Sequence, residues 1–97
     1  MSIFTKQKPA VSDKKRVISD IEKHILYVVK QLVDAPDEVY VRKSVSNGVT
    51  RFHIETTTHD VGKVIGKKGM TIQSLRTVCR SIAAKNNLMI EIEVKED

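Results

Sequence analysis

The sequence has few of the residues that build covalent or metal sites. Its 97 residues include one cysteine, three histidines and no tryptophan. A lone cysteine, Cys79, cannot form an internal disulfide or a site with several cysteine ligands, and we expect a buried thiol in a reducing compartment. Because His24, His53 and His59 show no ligand spacing with one another or with Cys79, the sequence predicts no metal site.

The sequence also lacks long apolar runs and catalytic motifs. No apolar run approaches a membrane span, and the first residues contain no signal-peptide hydrophobic region, so we expect a cytoplasmic protein that does not bind a membrane. No serine, histidine and acid are arranged for nucleophilic catalysis. The segment from Gly62 to Thr71 departs from the P-loop pattern in its glycine spacing, and Lys68 follows Lys67 where that pattern requires Ser or Thr. We therefore expect neither an enzyme nor a cofactor.

Basic residues are concentrated in one part of the chain. Lysine and arginine number 17 against 12 acidic residues, which gives a net charge of +5. The segment from Val61 to Asn87 contains basic residues and no acid, whereas Glu91, Glu93 and Glu96 reverse the balance after Leu88. A one-sided basic patch favours a polyanionic partner, although a solvated helix face produces the same pattern.

Residues 1–12 read as a flexible basic tail, and residues 13–95 as the folded domain. The tail carries Lys6 and Lys8 with little apolar periodicity. A helix follows, with Ser12 or Asp13 as its cap and Pro36 beyond its end. Its apolar stripe at three- and four-residue spacing comprises Val17, Ile18, Ile21, Ile25, Val28, Val29, Leu32 and Val33.

Three segments alternate between apolar and polar residues in the manner of strands. The first runs from Glu38 to Val45 and the second from Val49 to Thr57, and Asn47-Gly48 between them suits a tight hairpin turn. The third strand runs from Leu88 to Val94, with Glu91 and Glu93 on a solvent-facing side. The alternating apolar residues are Val39, Val41, Val45, Phe52, Ile54, Ile90, Ile92 and Val94.

Two helices are predicted between the second and third strands. Asp60 is placed to cap a short helix from Val61 to Ile65, and a longer helix runs from about Met70 to Lys85. The expected buried face of the longer helix comprises Ile72, Leu75, Val78, Cys79 and Ile82. The order αββααβ predicts an α+β fold of two layers, a three-stranded sheet with three helices on one face.

The two helices are joined by Gly66-Lys67-Lys68-Gly69, which has the composition of a phosphate-binding loop. Glycine lacks a Cβ, so a nucleic-acid backbone can approach closely and the chain can adopt positive φ. The lysines supply positive charge, and the amides at the start of the following helix favour anions. A helix stop followed by a tight turn is the simpler interpretation of the same glycines.

The element order and this loop resemble a KH domain of type II. The segments VGKVIGKKG (61–69) and LRTV (75–78) more closely resemble the KhpA family of small bacterial KH-domain proteins, from about residue 17 to residue 94. The longer basic N-terminal extension and the charged end after Val94 depart from that family. The resemblance implies binding of single-stranded RNA with the loop holding the backbone. It also implies a homodimer, or a heterodimer with a KhpB (Jag)-like protein, and links to RNA chaperoning and cell-envelope growth.

The residues expected to contact RNA come from the loop and the two helices beside it. Ile65 and Ile72 form either an apolar floor for bases or part of the core. Arg76 and Arg80 lie one helical turn apart. Each is expected either to contact a phosphate or base edge of the RNA, or to remain solvated. The full set is Lys63, Ile65, Gly66, Lys67, Lys68, Gly69, Ile72, Arg76 and Arg80.

Two other functions remain open for the same sequence. The domain could serve mainly as a dimerisation or interaction module, with RNA contact secondary. It could also bind single-stranded DNA, because the loop contacts phosphate and not the 2′-hydroxyl. The sequence excludes the commonest aromatic base-stacking platforms, since it has two Tyr, two Phe and no Trp.

Overall fold

The computed structural model describes residues 11–96, and the side chains of residues 13–96. Within that range the elements follow the predicted order αββααβ. They are α1 (Val11–Leu32), β1 (Tyr40–Ser46), β2 (Val49–Glu55), α2 (Val61–Ile65), α3 (Met70–Lys85) and β3 (Met89–Val94). No helix in this part of the chain combines the length and the apolar character needed to cross a membrane.

Helix α1 begins earlier than the sequence suggests. It starts at Val11, so neither Ser12 nor Asp13 is its cap, and that prediction is wrong. Asp13 instead lies in the first turn, where its negative charge interacts favourably with the helix dipole. Apart from Val11 and Ser12, the predicted tail lies outside the described residues.

The sheet has the order β1-β2-β3, which makes β3 an edge strand. Strands β1 and β2 pair antiparallel, and their last ladder pair is Ser46 with Val49. Asn47 and Gly48 connect them with φ values of 53° and 77°, so the predicted tight turn is confirmed. Strand β3 pairs parallel with β2, and helices α2 and α3 form the connection between them.

The helices cover one face of the sheet. Phe52 and Ile54 of β2 and Ile90 and Ile92 of β3 are buried together with the inner residues of the helices. Charged and polar side chains lie on the opposite face and pair across the strands. The ion pairs are Arg42–Glu55 at 2.7 Å and Arg51–Glu91 at 3.0 Å, and His53 Nδ1 lies 3.4 Å from Glu93 Oε1. The predicted two-layer α+β fold with one polar sheet face is therefore confirmed.

One residue of the predicted buried face of α3 is exposed. Val78 is 52% exposed, and Val45, one of the alternating apolar residues of the first predicted strand, is 68% exposed. The buried stripe of α3 passes instead through Leu75, Cys79 and Ala83, and Val78 lies beside it on the helix surface. Cys79 is fully buried as predicted, and burial raises the pKa of its thiol.

Candidate nucleic-acid interface

The loop between α2 and α3 requires glycine at its first position. Gly66 has φ 79° and ψ 173°, a region that residues with a Cβ rarely adopt. A Cβ placed there would lie 2.1 Å from the Thr71 hydroxyl oxygen. Gly69 also has positive φ, at 74°, but a Cβ at that position would meet nothing within 4 Å. The Gly69 N–H donates to the Gly66 carbonyl at 3.0 Å, which closes the turn.

The two lysines of the loop are exposed. Among the ion pairs of residues 13–96, none involves Lys67 or Lys68. Lys68 has a left-handed backbone with φ 56° and ψ 25°, which costs a non-glycine residue roughly 1 kcal/mol. The loop thus combines a strained conformation with two cations that are available to a ligand.

A cleft opens beside the loop, between α3 and the edge strand β3. Ile65, Gly69, Ile72, Gln73 and Arg76 line its helical wall, and Glu93, Val94 and Glu96 line its strand wall. Ile72 is buried and Ile65 is half-buried, and both pack with the core while lining the cleft. The two interpretations of these isoleucines are therefore compatible.

The structure separates the two arginines. Arg76 is half-buried, and its Nε donates to the Ile92 carbonyl of β3 at 3.0 Å, across the cleft. This bond fixes the guanidinium in the cleft lining and leaves its other N–H groups available. Arg80 is exposed one turn further along α3 and does not line the cleft.

Lys63 forms ion pairs outside the cleft. Its Nζ lies 3.4 Å from Asp34 Oδ2 and 3.6 Å from Asp60 Oδ1. His59 lies beside the same carboxylates, and one ligand atom from each of Asp34, His59 and Asp60 falls within 4.8 Å of the others. The ammonium group of Lys63 lies beside both carboxylates and balances part of their charge. The sequence spacing of the histidines does not indicate this cluster.

Asp60 has a role that the sequence does not reveal. It precedes α2 as predicted, but its side chain makes no capping bond to that helix. It accepts hydrogen bonds from the backbone N–H groups of Asp34 at 3.1 Å and Ala35 at 3.0 Å. Burial raises the pKa of Asp60, yet these donors, Thr57 and Lys63 together lower it below its ordinary value. The carboxylate thereby fixes the chain after α1 to the start of α2.

The predicted site also does not include the acidic residues on the strand wall of the cleft. Glu93 lies on the polar face of the sheet as predicted, but β3 is the edge strand, so Glu93 also borders the cleft. The sequence reveals that the end of the chain is acidic, but it does not reveal that α3 lies opposite these acidic residues. The tertiary arrangement alone brings Glu93 and Glu96 near Arg76.

A two-layer αββααβ fold, with a G-x-x-G loop between its middle helices and a cleft beside that loop, defines a KH domain of type II. The family model described as KhpA/KhpB, KH domain matches residues 22–94. The chain therefore belongs to the KhpA/KhpB family of KH domains.

Curated relatives support this membership over almost their full length. A protein of Chlamydia caviae named RNA-binding protein KhpA is 36% identical over 73 residues, which cover 75% of this chain and 94% of the relative. A protein of the same name from Listeria monocytogenes is 32% identical, with 78% of this chain and 100% of the relative covered. A further one, from Clostridium acetobutylicum, is 36% identical, with 69% and 89% covered.

Proposed function

We propose that this protein binds single-stranded RNA, with the RNA backbone at Gly66–Gly69 and the bases in the adjacent cleft. The observation that carries the proposal is the position of the loop. Its two lysines have no ion-pair partners among residues 13–96, and they directly precede Gly69, which lines the cleft together with Ile65 and Ile72. The relatives in three bacterial genera that are named RNA-binding proteins support the same function.

The loop supplies the groups that a phosphate requires. Lys67 and Lys68 provide positive charge, and the absence of a side chain at Gly66 and Gly69 permits close approach of the sugar-phosphate backbone. Helix α3 begins directly after the loop, so the positive end of its dipole lies near the same phosphates. Binding by these groups requires no catalytic step.

The cleft supplies the surface for bases. Unstacked bases need apolar contact and hydrogen-bond partners, and the cleft offers Ile65 and Ile72 together with Gln73 and Arg76. The Arg76–Ile92 bond holds the guanidinium beside the edge strand. Arg80 and Lys63 lie outside this lining, and we assign them at most peripheral phosphate contacts.

Crosslinking in cells tests this function. RNA crosslinked to the wild-type protein is recovered and sequenced beside RNA from the Lys67→Asp/Lys68→Asp variant. The charge-matched control is Lys15→Asp/Lys23→Asp, which changes exposed lysines of α1. We expect enriched RNA with the wild type and the control, and loss of that RNA with the loop variant. Equal recovery from the loop variant would show that the loop does not hold the RNA.

We further propose that two copies of the chain associate through an apolar surface on α1 and α3. Its exposed members include Leu32, Met70 and Val78, of which Met70 is 65% exposed. Between the helices lies a groove lined by His24, Val28, Leu32, Thr71, Ser74, Leu75 and Val78. A surface of this kind on a small domain suits another protein surface.

The same apolar surface would also support the alternative function, in which the domain is mainly an interaction module. Family membership favours a second copy or a KhpB (Jag)-like partner as its occupant. Pairing two copies would join two RNA clefts in one particle and raise the apparent affinity by avidity. A role in the cytoplasm as an RNA chaperone is consistent with such a two-site particle. Parallel binding measurements with DNA of matched sequence distinguish RNA from single-stranded DNA as the ligand.

A further inference from the structure

The two walls of the cleft carry opposite charge. Arg76 lies on the helical wall and Lys67 and Lys68 on the loop at its end, whereas Glu93 and Glu96 lie on the strand wall. Phosphates are repelled by carboxylates at close range. An RNA strand in this cleft therefore places its backbone toward the loop and directs its base edges toward β3.

The edge of β3 also presents backbone groups to the cleft. The Lys95 N–H donates to Ile54 of β2 at 2.9 Å, so Lys95 is directed toward the neighbouring strand. The Ile92 carbonyl is directed the opposite way, since it accepts from Arg76 across the cleft. Backbone groups alternate in direction along a strand, so the N–H and C=O of Val94 also point away from β2. Val94 lies between the two glutamates in the cleft lining.

We propose that Glu93 and Glu96 make this cleft select bases that carry an exocyclic amino group and reject uracil. The inference rests on the proposed RNA-binding function and adds a base preference to it. Ionised carboxylates only accept hydrogen bonds. The amino groups of cytosine, adenine and guanine donate to such acceptors, and glutamate paired with the cytosine N4 amino group is a known recognition mode.

Uracil presents the wrong pattern to this wall. Its one donor on this edge is the N3–H, which faces the Val94 N–H when the ring nitrogen is placed there, so that two donors meet. Its O4 acceptor then faces a carboxylate of Glu93 or Glu96, and these two acceptors are left without a donor. Cytosine is the matched comparison because it has the same ring size and differs at the edge that would face β3. For cytosine, the Val94 N–H can donate to the ring nitrogen while a carboxylate accepts from the amino group.

The test compares short single-stranded oligo(C) and oligo(U) of equal length by fluorescence anisotropy. We expect the wild type to bind oligo(C) about tenfold more tightly, the discrimination that one charged hydrogen bond supplies. In the Glu93→Gln/Glu96→Gln variant we expect that ratio to fall to about one, because the glutamine amide both donates and accepts. The affinity for oligo(U) should rise in this variant because two negative charges are removed. The affinity for oligo(C) should gain less, because oligo(C) also loses its charged hydrogen bond.

Asp37→Asn/Glu38→Gln is the control for charge, since these exposed acids follow α1 and do not line the cleft. It should raise both affinities and preserve the oligo(C) preference. Thermal unfolding followed by circular dichroism checks that each variant is folded, since Glu93 also pairs with His53 at 3.4 Å.

Two results would overturn the base preference while the RNA-binding function stands. One is equal binding of oligo(C) and oligo(U) by the wild type. The other is a glutamine variant that binds both more tightly with the oligo(C) preference unchanged, which would show that the carboxylates only repel phosphate. Failure of the wild type to bind either oligomer would overturn the proposed function itself.

Discussion

Gly66 and Gly69 have similar φ values, but their surroundings differ. Both adopt positive φ, while only Gly66 combines it with an extended ψ and a neighbouring side chain in the position of a Cβ. The sequence pattern treats the two glycines alike. The distinction depends on Thr71, whose hydroxyl occupies the space beside Gly66.

Alanine substitutions should therefore differ in cost. We predict that Gly69→Ala lowers the free energy of unfolding by roughly 1 kcal/mol, since left-handed backbone is its main penalty. Gly66→Ala should cost clearly more, because its Cβ also collides with Thr71. Urea denaturation followed by circular dichroism measures both values. Equal losses of stability would contradict the described loop conformation.

A second prediction at the residue scale concerns Asp60. Its pKa in the folded protein lies below the ordinary value of 3.8. A lowered pKa means that the charged carboxylate stabilises the fold above about pH 4 and that this contribution is lost as the pH falls through the lowered pKa. Asp60→Asn should be less stable than the wild type at neutral pH, because the two backbone N–H groups bond to different carboxylate oxygens and the amide replaces one of these with an NH2 donor.

The pH profile separates this role from a general loss of stability. We expect the wild type to lose stability as the pH falls below about 4, and Asp60→Asn to lose less over the same range. Asp37→Asn, a substitution at an exposed position, is the control and should follow the wild-type profile. Thermal unfolding at each pH measures the difference. Parallel profiles for wild type and Asp60→Asn would refute the assignment.

At the scale of elements, helix α3 has three sides that face different environments. One side is buried under the sheet, one side lines the cleft through Gln73 and Arg76, and one side carries exposed Met70 and Val78. Because the buried and exposed apolar residues lie so close together on the helix, periodicity alone assigned Val78 to the core.

The exposed side of α3 leads to a prediction about assembly. Val78→Asp should shift the protein from dimer to monomer, because it places a charge in the proposed apolar interface. Its thermal stability as a monomer should change little, since Val78 is 52% exposed in the single chain. Light scattering after size-exclusion chromatography measures the mass. Ala84→Asp, at an exposed position near the end of α3, is the control that should leave the mass unchanged.

Two results would contradict the assembly prediction. A wild-type protein that is monomeric at high concentration would refute the proposed interface. A Val78→Asp variant that remains dimeric would place the interface elsewhere. Weaker RNA binding by a confirmed Val78→Asp monomer would support the contribution of avidity.

Local patterns explain which elements were predictable. The bounds of α2 and α3 agree with the prediction, because Gly66 and Gly69 mark the break between them and the asparagines after Lys85 end α3. The Asn47-Gly48 turn was predictable for the same reason. The strand ends agree less well with the prediction. Strand β1 starts at Tyr40 and not at Glu38, and β2 ends at Glu55 and not at Thr57.

At the scale of the whole molecule, the site depends on contacts between distant segments. Asp60 binds backbone groups 26 and 25 residues away in the sequence. Arg76 reaches Ile92 only because α3 lies beside the edge strand. The sequence therefore predicted the loop and the helical wall of the cleft, while the strand wall with Glu93 and Glu96 depended on tertiary structure.

The whole molecule also separates its charges, with the cationic loop at one end of the cleft and carboxylates along the strand wall. Under the proposed function, this arrangement makes the loop the place where RNA phosphates would be neutralised. Each phosphate contact to single-stranded nucleic acid contributes about 0.7 to the slope of log K against log salt concentration. The difference in slope between the wild type and a loop variant therefore reports the phosphate contacts that the loop makes.

The most direct test of RNA binding at the loop is the salt dependence of affinity for single-stranded RNA, measured for the wild type, Lys67→Asp/Lys68→Asp and the Lys15→Asp/Lys23→Asp control. We predict that the loop variant binds much more weakly than the control and that its slope is smaller than the wild-type slope by about one to two. Binding by the loop variant at moderate salt with the wild-type slope would contradict this account.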